Sequence, residues 1–404
     1  MRIAFLTVSS EMGGSERSLV ELTGALRRLR PDWPLAVILP REGPLQSHLP
    51  PDVKTVVAPM PAALARFGES GLGGLAASGA TLVGAAGGAA RYARDLKRIL
   101  GDLDADVVHS NGFKHHVIAA GIATPTRPVV WHIHEYVTPR RLSRTLLRGC
   151  AGRVAAAVAN SRSVARDLAA GVGAGLRIET IYNGIDLSTY APDGTVADLD
   201  ALAGLPSAPV GTVKVGLVST FGRWKGHDVF LRAIASLDRA LPVRAYVVGG
   251  AVYDTARSEF SLGELRAMAA AAGVADRVAF TGFVDRTAPA LRALDVVVHA
   301  STQPEPFGLA IAEAMACGRA TIASAAGGAA EIVEAERDAL THAPGDARGL
   351  ADAITRLARD PALRRRLGDA ARVSALARFD AMAFGRAFAN VYESVVRPQA
   401  QGAR

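Results

Sequence analysis

Two glutamates stand eight residues apart in a stretch of sequence that is otherwise almost free of charge. The stretch is EPFGLAIAEAMACG, from Glu305 to Gly318, and it follows the apolar run DVVVHA, which predicts a buried strand. The part GLAIAEAMAC is apolar around nearly its whole circumference and predicts a buried helix that starts near Phe307 or Gly308. A buried carboxylate without partners is costly, so we expect Glu313 to have binding partners.

The spacing of these residues suits a phosphorylated ligand that carries a sugar. The free N–H groups at a helix start can hold an anion, and Glu313 lies five residues past Gly308, about 7–8 Å along a helix. That is roughly the separation between a diphosphate and a ribose, whose hydroxyls can donate to a carboxylate. Glu305, before the helix, would lie near a sugar on that diphosphate. The alternative is that Glu305 caps the helix and Glu313 bonds an internal arginine.

With 404 residues, the chain is long enough for two or three domains. Half of the residues are hydrophobic and 21% are charged, which excludes a disordered or collagen-like chain. The formal net charge is +8, and residues 1–190 carry +7 of it. We therefore expect an anionic partner for the N-terminal half: lipid headgroups, a phosphorylated acceptor or nucleic acid.

Cysteine usage and the N-terminal residues bear on cellular location. Cys150 and Cys317 are too few for a disulfide framework or a cysteine-based zinc site, which favours a reducing cytoplasm. The start, MRIAFLTVSSEMGG, lacks the long apolar run of a signal peptide. The uncharged run 70–90 contains seven glycines and does not predict a membrane span. We expect a cytoplasmic protein that can associate with the inner face of a membrane.

Strand-like and helix-like patterns alternate along nearly the whole chain, which predicts parallel sheets with helices on both faces. The alternation stops at 187–212, where prolines and glycines indicate a linker, and then restarts. The predicted fold class is α/β, with two doubly wound Rossmann-like domains, 1–186 and 213–380, that face each other across a cleft. A C-terminal helix at 381–404 is expected to pack back on the first domain. In such folds the ligand binds at the carboxyl ends of the strands.

Several short motifs occur in the order and spacing of one enzyme family. Glycine pairs, strand-end histidines and a Trp-Lys-Gly triplet are weak signals individually and a strong signal together with the double glutamate. Over nearly its whole length the chain resembles glycosyltransferase family 4, retaining enzymes of the GT-B fold. The matching positions are Gly13-Gly14-Ser15-Glu16 (GG-x-E), His109, His134, Asn183-Gly184-Ile185-Asp186 (NG-(V/I)-D), Trp224-Lys225-Gly226 (WKG), Gly327-Gly328 with Glu331 (GG-x-x-E), and Glu305 with Glu313 (E-x7-E).

The resemblance implies a site for a nucleotide-sugar donor in the C-terminal domain, with Lys225 offering a point charge to the diphosphate and His134 contacting the reacting sugar. Thr220 stands where the family has an arginine, so either Arg223 supplies a second positive charge or Lys225 acts alone. The implied catalytic residues are His134, Lys225 and Glu305. The implied donor-binding residues are Gly13, Gly14, Arg223, Lys225, Phe283 and Val284 (against the base), Glu305, Phe307, Gly308, Leu309 and Glu313.

The resemblance also implies a reaction. A sugar moves from a nucleotide diphosphate to an acceptor hydroxyl with retention of configuration, because the hydroxyl attacks from the side that the diphosphate leaves. The acceptor is expected to be a glycolipid or a precursor of a polysaccharide or glycoconjugate, bound by the N-terminal domain. No cofactor is expected apart from the donor substrate.

Other classes of function fit less well. A nucleotide-sugar epimerase or hydrolase shares the fold and is the alternative enzyme. A nucleic-acid binder would suit the charge, but no base-stacking or groove-reading motif is present, so we expect no nucleic acid. A metal site is not expected: Asp104-Ala-Asp106 matches the D-x-D pattern but begins a predicted strand, and the histidines at 109, 115, 116, 132 and 134 have no carboxylate at ligand spacing.

One basic amphipathic segment follows His134. Between residues 136 and 149, Arg140, Arg141, Arg144 and Arg148 alternate with leucines at helical spacing. Helices of this kind lie on anionic membrane surfaces. The alternative is an ordinary solvated helix face.

Overall fold

The computed structural model describes residues 1–65, 79–251 and 258–396. The chain divides into two compact units: Met1–Gly184 together with the chain from Ala381 onwards, and Ile185–Asp380. Each unit is built on one parallel sheet with helices, so the α/β prediction is confirmed.

The first unit contains a seven-stranded sheet whose central strands are fully buried, as a sheet covered on both faces requires. Its strands are β1 (Ile3–Thr7), β2 (Leu35–Leu39), β3 (Lys54–Val57), β4 (Val107–Asn111), β5 (Val129–Ile133), β6 (Ala156–Ala159) and β7 (Ile178–Thr180). Its helices, up to β7, are α1 (Gly14–Leu29), α2 (Leu45–His48), α3 (Ala62–Ala65), α4 (Gly79–Asp102), α5 (Phe113–Ile122), α6 (Arg141–Cys150) and α7 (Arg162–Val172).

The strand order in this sheet is β3-β2-β1-β4-β5-β6-β7, so the chain reverses its direction of travel between β1 and β4. The edge strands β3 and β7 are only partly buried and the inner strands wholly so. Helix α7 is capped by Ser161, whose hydroxyl accepts a hydrogen bond from the backbone N–H of Val164. The glycine-rich run at 70–90 lies partly outside the described residues, and its later part begins α4.

The second unit contains a six-stranded sheet in the order β10-β9-β8-β11-β12-β13, which reverses between β8 and β11. Its strands are β8 (Val213–Val218), β9 (Val243–Val248), β10 (Val278–Gly282), β11 (Val296–His299), β12 (Ala320–Ser324) and β13 (Leu340–His342). Its helices are α8 (Leu199–Leu202), α9 (His227–Ala235), α10 (Leu262–Ala271), α11 (Thr287–Ala293), α12 (Leu309–Ala316), α13 (Ala329–Ile332), α14 (Ala347–Arg359) and α15 (Pro361–Arg378).

The segment 187–212, predicted as a linker, is instead folded into the second unit. Its short helix α8 places Asp200 in the interior, where the carboxylate accepts hydrogen bonds from Tyr246 (2.7 Å) and Arg244 (2.6 Å). The Arg292 guanidinium holds three backbone carbonyl oxygens of the same segment, including that of Thr195 at 2.8 Å. Proline and glycine content indicated an irregular chain, but it could not show that the irregular chain is packed.

The C-terminal helix α16 (Ala381–Val396) belongs to the first unit and packs on α1. The approach is close because Gly385 has no side chain: a Cβ there would lie 2.6 Å from that of Ala25. Phe384, Phe388 and Tyr392 on α16 are buried in the core of this unit.

No helix in the described ranges combines the length and the hydropathy that a membrane crossing requires.

Candidate functional site

The second unit brings Lys225 and Glu305 together at its topological switch point. Lys225 follows β8 and Glu305 follows β11, the two neighbouring strands between which the strand order reverses. In open α/β sheets this is where the loops diverge and leave a crevice for a ligand. The strand order therefore explains why residues 80 positions apart in the chain are neighbours.

The glycine of the Trp-Lys-Gly triplet permits this approach. Gly226 has φ +75°, and a Cβ at that position would lie 1.9 Å from the carbonyl oxygen of Ala300. No residue with a side chain fits, because both the conformation and the space exclude it. The loop is also tied by the backbone N–H of Thr302, which donates to the carbonyl of Trp224 at 2.8 Å.

Lys225 and Glu305 form a mostly buried ion pair. The Lys225 ammonium lies 2.9 Å from both carboxylate oxygens, and the exposed fractions of the two side chains are 21% and 12%. The Ser301 hydroxyl donates to Glu305 Oε2 at 2.8 Å, and His299 Nε2 lies 3.3 Å from the same oxygen. Burial alone would raise the pKa of Glu305, but the charge of Lys225 and the hydrogen bond from His299 outweigh it and hold the pKa well below its usual range.

The backbone of Glu305 is fixed by the second glycine pair. The N–H of Gly328 donates to the carbonyl of Glu305 at 2.7 Å, and the N–H of Glu305 donates to the carbonyl of Ala326 at 3.3 Å. The Gly327–Gly328 motif therefore fixes the backbone position of Glu305 through hydrogen bonds.

Glu313 is buried on α12, which starts at Leu309, one or two residues later than predicted. Its carboxylate accepts a hydrogen bond from the Thr287 hydroxyl at 3.4 Å. At the start of α12 the N–H groups of Ile311 and Ala312 donate to the carbonyl of Gly308 at 3.0 and 3.3 Å, so an anion there would meet the N–H groups that precede them. Gly308, with φ +104°, turns the chain into this helix, and Phe307 is buried edge-on against Phe379 at 5.7 Å.

Three further predicted residues remain. Phe283 and Val284 follow β10, and Arg223 has partners other than the ion pair. Phe283 is 55% exposed and Val284 is partly buried, which leaves an aromatic ring open to a planar ligand. Arg223 instead pairs with Glu264 of α10 at 2.9 Å and lies over the ring of Phe260 at 4.3 Å.

In the first unit, the strand-end histidines pack against one another. The ring centroids of His132 and His134 are 3.9 Å apart, and those of His109 and His132 are 5.2 Å apart. The Tyr392 hydroxyl of α16 lies 2.7 Å from Nδ1 of His109, and the Phe388 ring lies 4.8 Å from that of His132. The C-terminal helix thus supports the strand ends that carry the predicted catalytic histidine.

Burial keeps these imidazoles uncharged. It lowers the pKa of His134 to about 3, and burial with the neighbouring His134 lowers that of His109 to about 3 as well. His132, also buried, has its pKa lowered well below the usual value for the same reason. At neutral pH His134 can therefore offer a hydrogen bond but not a positive charge.

The Gly13–Gly14 turn connects β1 to α1, and Gly14 is the first residue of the helix. The glutamate of this motif, Glu16, is buried and accepts hydrogen bonds from the hydroxyls of Ser15 (2.8 Å) and Thr7 (3.3 Å). Burial raises the pKa of its carboxyl group. Glu16 therefore links the end of β1, through Thr7, to the start of α1, through Ser15.

The D-x-D pattern has a structural partner. Asp104 and Asp106 both pair with Arg2, the latter at 3.0 Å, at the amino end of β4 and away from the carboxyl ends of the strands. Within residues 1–65, 79–251 and 258–396, no three His, Cys, Asp or Glu side chains are arranged to hold a metal ion.

His299 and Ser301 were not predicted as site residues. A usable signal was present, because His299 is a histidine at the end of a strand and precedes Glu305 by six residues. The contact with Glu305 depends on a loop that returns toward the strand, which the spacing alone did not reveal.

Comparison with known families separates the chain into the same two halves. The family model described as Glycosyltransferase Family 4 matches residues 12–189, and the model described as Glycosyl transferases group 1 matches residues 212–360. The chain belongs to glycosyltransferase family 4. The resemblance predicted from the motifs is thereby confirmed.

Two relatives of this family 4 chain show how far the likeness extends. The D-inositol 3-phosphate glycosyltransferase of Xylanimonas cellulosilytica is 34% identical over 226 residues, covering 54% of this chain and 52% of the relative. The lipopolysaccharide core biosynthesis mannosyltransferase LpcC of Rhizobium leguminosarum bv. viciae is 36% identical over 186 residues, covering 45% and 50%. The chain thus spans about half the length of the curated relatives it matches.

Solved glycosyltransferase structures share the fold of this family 4 chain. Anabaena HepE in complex with UDP-glucose has a TM-score of 0.78 and 26% identity, covering 98% of this chain and 100% of HepE. The sucrose-phosphate synthase of Thermosynechococcus elongatus has a TM-score of 0.79 at 22% identity, covering 98% and 99%, which shows the fold alone. The predicted GT-B fold is confirmed.

The buried histidines predict a first unit that is sensitive to acid. Burial lowers the pKa of His115 to about 3 and that of His116 well below its usual value, as for the three strand-end histidines. Such a group leaves stability unchanged above about pH 6.5, its unfolded pKa, and lowers stability progressively from there toward its folded pKa, because only the unfolded chain binds the proton. At pH 5.5 this costs about 1.4 kcal/mol per histidine.

We expect the free energy of unfolding, measured in urea, to fall by several kcal/mol between pH 7.5 and pH 5.5. The variant His115→Asn should reduce the proton uptake on unfolding by about one. The control is His48→Asn, which removes a histidine outside the buried cluster at an exposed hydrogen bond of the same unit. Equal unfolding free energies at the two pH values would contradict the buried neutral state of the cluster.

Proposed function

We propose that this chain is a retaining glycosyltransferase that transfers a hexose from a nucleotide-diphosphate sugar to an acceptor hydroxyl. The observation that carries the proposal is the convergence of Lys225, Glu305 and the start of α12 in one unit, with Glu313 one turn further along the helix. This set supplies a cation and helix N–H groups for a diphosphate and two carboxylates for sugar hydroxyls. The likeness to HepE, whose structures contain UDP and UDP-glucose, supports a donor of this class.

The donor is proposed to lie along α12. Its diphosphate binds Lys225 and the amides of Phe307, Gly308 and Leu309, its ribose hydroxyls donate to Glu313, and its base lies against Phe283 and Val284. Phe283 suits this role because more than half of its side chain is exposed and can stack on a planar base. Arg223, which pairs with Glu264, is less well placed for a direct role, so Lys225 is proposed as the principal cation.

The chemistry proposed for the site is electrostatic. Glu305 stabilises the positive charge that develops on the sugar as the diphosphate leaves, and Lys225 stabilises the negative charge on the leaving group. In the first unit, taken by itself, His134 is a neutral hydrogen-bonding imidazole and the Gly13–Gly14 turn is backbone that a ligand can approach. The acceptor hydroxyl attacks from the side of the departing diphosphate, which takes its proton. No metal ion and no cofactor besides the donor are required.

The acceptor is proposed to be a glycan or a lipid-linked precursor. The two relatives described above are named for D-inositol 3-phosphate and for lipopolysaccharide core biosynthesis, which supports an acceptor of this class. Helix α6 of the first unit carries Arg141, Arg144 and Arg148, and Leu142 on it is 55% exposed. An exposed leucine among arginines suits an anionic membrane surface at which a lipid-linked acceptor would be presented.

The test of this function is a panel of UDP-, GDP- and ADP-sugars. We expect one nucleotide class to raise the melting temperature and its sugar to be transferred to a hydroxyl acceptor with retention, measured by NMR of the product. Turnover of the donor at the same rate without any acceptor would favour a hydrolase or epimerase instead. The absence of binding to every nucleotide sugar would overturn the proposal.

The two glutamates should have separable effects. Glu313→Ala removes a hydrogen-bond acceptor from the ribose and should raise the donor KM about 10- to 150-fold, since a bond to a charged group is worth about 1.5–3 kcal/mol. Glu305→Gln keeps the shape but removes the charge beside the sugar, so it should lower kcat while nucleotide affinity, measured by calorimetry, is retained.

Glu334→Ala, an exposed glutamate in the same unit, is the matched control and should change neither constant. Loss of nucleotide binding in Glu305→Gln with normal binding in Glu313→Ala would mean that the donor lies in the opposite direction along α12. Normal activity in both variants would place the donor site elsewhere.

Activity should be independent of divalent metal ions. The lysine and the helix start supply the positive charge that a metal ion supplies to a diphosphate elsewhere. Dialysis against EDTA should therefore leave the transfer rate within about twofold. Complete loss that manganese or magnesium restores would show that this assignment is wrong.

Binding to anionic vesicles should depend on the position of the arginines and not only on total charge. Replacing Arg140, Arg141, Arg144 and Arg148 with Gln should weaken binding to phosphatidylglycerol vesicles at low salt, and wild-type binding should fall as salt rises. The control replaces the four cations Arg91, Arg94, Lys97 and Arg98 of α4, which removes the same charge from the same unit. Equal weakening by both sets would contradict a binding face on α6.

A further inference from the structure

Glu305 is held by side chains from two directions. Lys225 reaches it from the loop after β8, at 2.9 Å from both oxygens, whereas His299 and Ser301 reach Oε2 from the end of β11. The two groups differ chemically, because Lys225 is a cation that other anions can attract and the β11 side chains are fixed donors of a strand end. His299 is buried, with 9% of its surface exposed.

A donor diphosphate would compete with Glu305 for Lys225. The Lys225 ammonium is the cation of this network and ends a long side chain with several rotatable bonds, so a phosphate can attract it, whereas the His299 imidazole is confined by burial. When Lys225 turns to the diphosphate, Glu305 Oε1 loses its charged partner. Oε2 keeps the hydrogen bonds from His299 and Ser301, so the carboxylate stays in place and regains charge that Lys225 had neutralised.

The geometry around His299 is suited to that task. Glu305 is ionised and can only accept, so the proton of the imidazole facing it must be on Nε2. The backbone carbonyl of His299 lies 3.3 Å from Nε2 of His342 on β13, and the carbonyl of Ser301 accepts a hydrogen bond from Ser324 on β12 at 2.7 Å. Both residues are therefore anchored to other strands of the same sheet, β13 and β12, independently of Lys225.

We propose that His299 is a positioning residue for Glu305, which holds the carboxylate beside the reacting sugar when the donor diphosphate has taken Lys225. The inference rests on the proposed function, because it requires a diphosphate as the competitor. It adds a role that acts on the chemical step and leaves nucleotide binding alone. Ser301 assists through the same oxygen.

The test compares two substitutions of His299 that differ in whether they can donate a hydrogen bond to Glu305. Gln at position 299 can place an amide N–H where Nε2 donates, and Leu cannot. With UDP-glucose as the probe, His299→Leu should lower kcat about 10- to 100-fold, the value of a hydrogen bond to a charged group, while the Kd of UDP stays within about threefold. His299→Gln should recover kcat to within about fivefold of the wild type.

A double-mutant cycle separates positioning from general damage. If His299 acts through Glu305, then His299→Leu should have almost no further effect on kcat in the Glu305→Gln background, whereas a structural defect would add to it. Val297→Ala on the same strand, buried and without contact to Glu305 in the described network, is the control for lost stability and should leave kcat unchanged. If His299→Leu does not fold, Ser301→Ala carries the same test, with an expected three- to tenfold loss.

The outcomes distinguish this inference from the function on which it rests. Wild-type kcat in His299→Leu, failure of His299→Gln to recover kcat, or additive effects with Glu305→Gln would each overturn the positioning role while the glycosyltransferase function stands. A wild-type protein that binds neither UDP nor any other nucleotide would remove the proposed function and this inference together.

Discussion

The ion pair between Lys225 and Glu305 is the constraint on which the second unit is arranged. A mostly buried carboxylate is tolerated only where cations and hydrogen-bond donors converge on it, and here those donors come from the loop after β8 and from the end of β11. The strand order places these loops side by side, and Gly226 lets them touch. The pair holds a positive and a negative charge at the switch point, where we propose that a diphosphate sugar binds.

The first unit contains a cluster of histidines instead of an ion pair. It concentrates imidazoles at the carboxyl ends of two adjacent strands, where burial lowers their pKa and α16 packs against His109 and His132. Gly385 lets the same helix approach α1 closely, because a Cβ there would collide with Ala25. A helix at the far end of the sequence thereby governs the environment of His134. Substitutions in α16 can thus alter the site without touching it.

The short motifs of this family have identifiable physical tasks in the structure. The glycine of WKG removes a side chain that would collide with a backbone carbonyl, and the Gly327–Gly328 pair bonds the backbone of Glu305. Glu16 in the first motif is buried and hydrogen-bonded to both sides of the Gly13–Gly14 turn. Each motif therefore preserves the path of the backbone as much as the identity of a contacting side chain.

The sequence by itself determined the alternation of strands and helices, the two-sheet architecture and the pairing of Glu305 with a buried helix carrying Glu313, because hydrophobic periodicity and local spacing are properties of neighbouring residues. Only the tertiary structure decided which side chains meet across long separations. It joined Lys225 to Glu305, turned Arg223 to Glu264, and brought His299 onto the glutamate. These contacts depend on strand order and loop path, which no local pattern encodes.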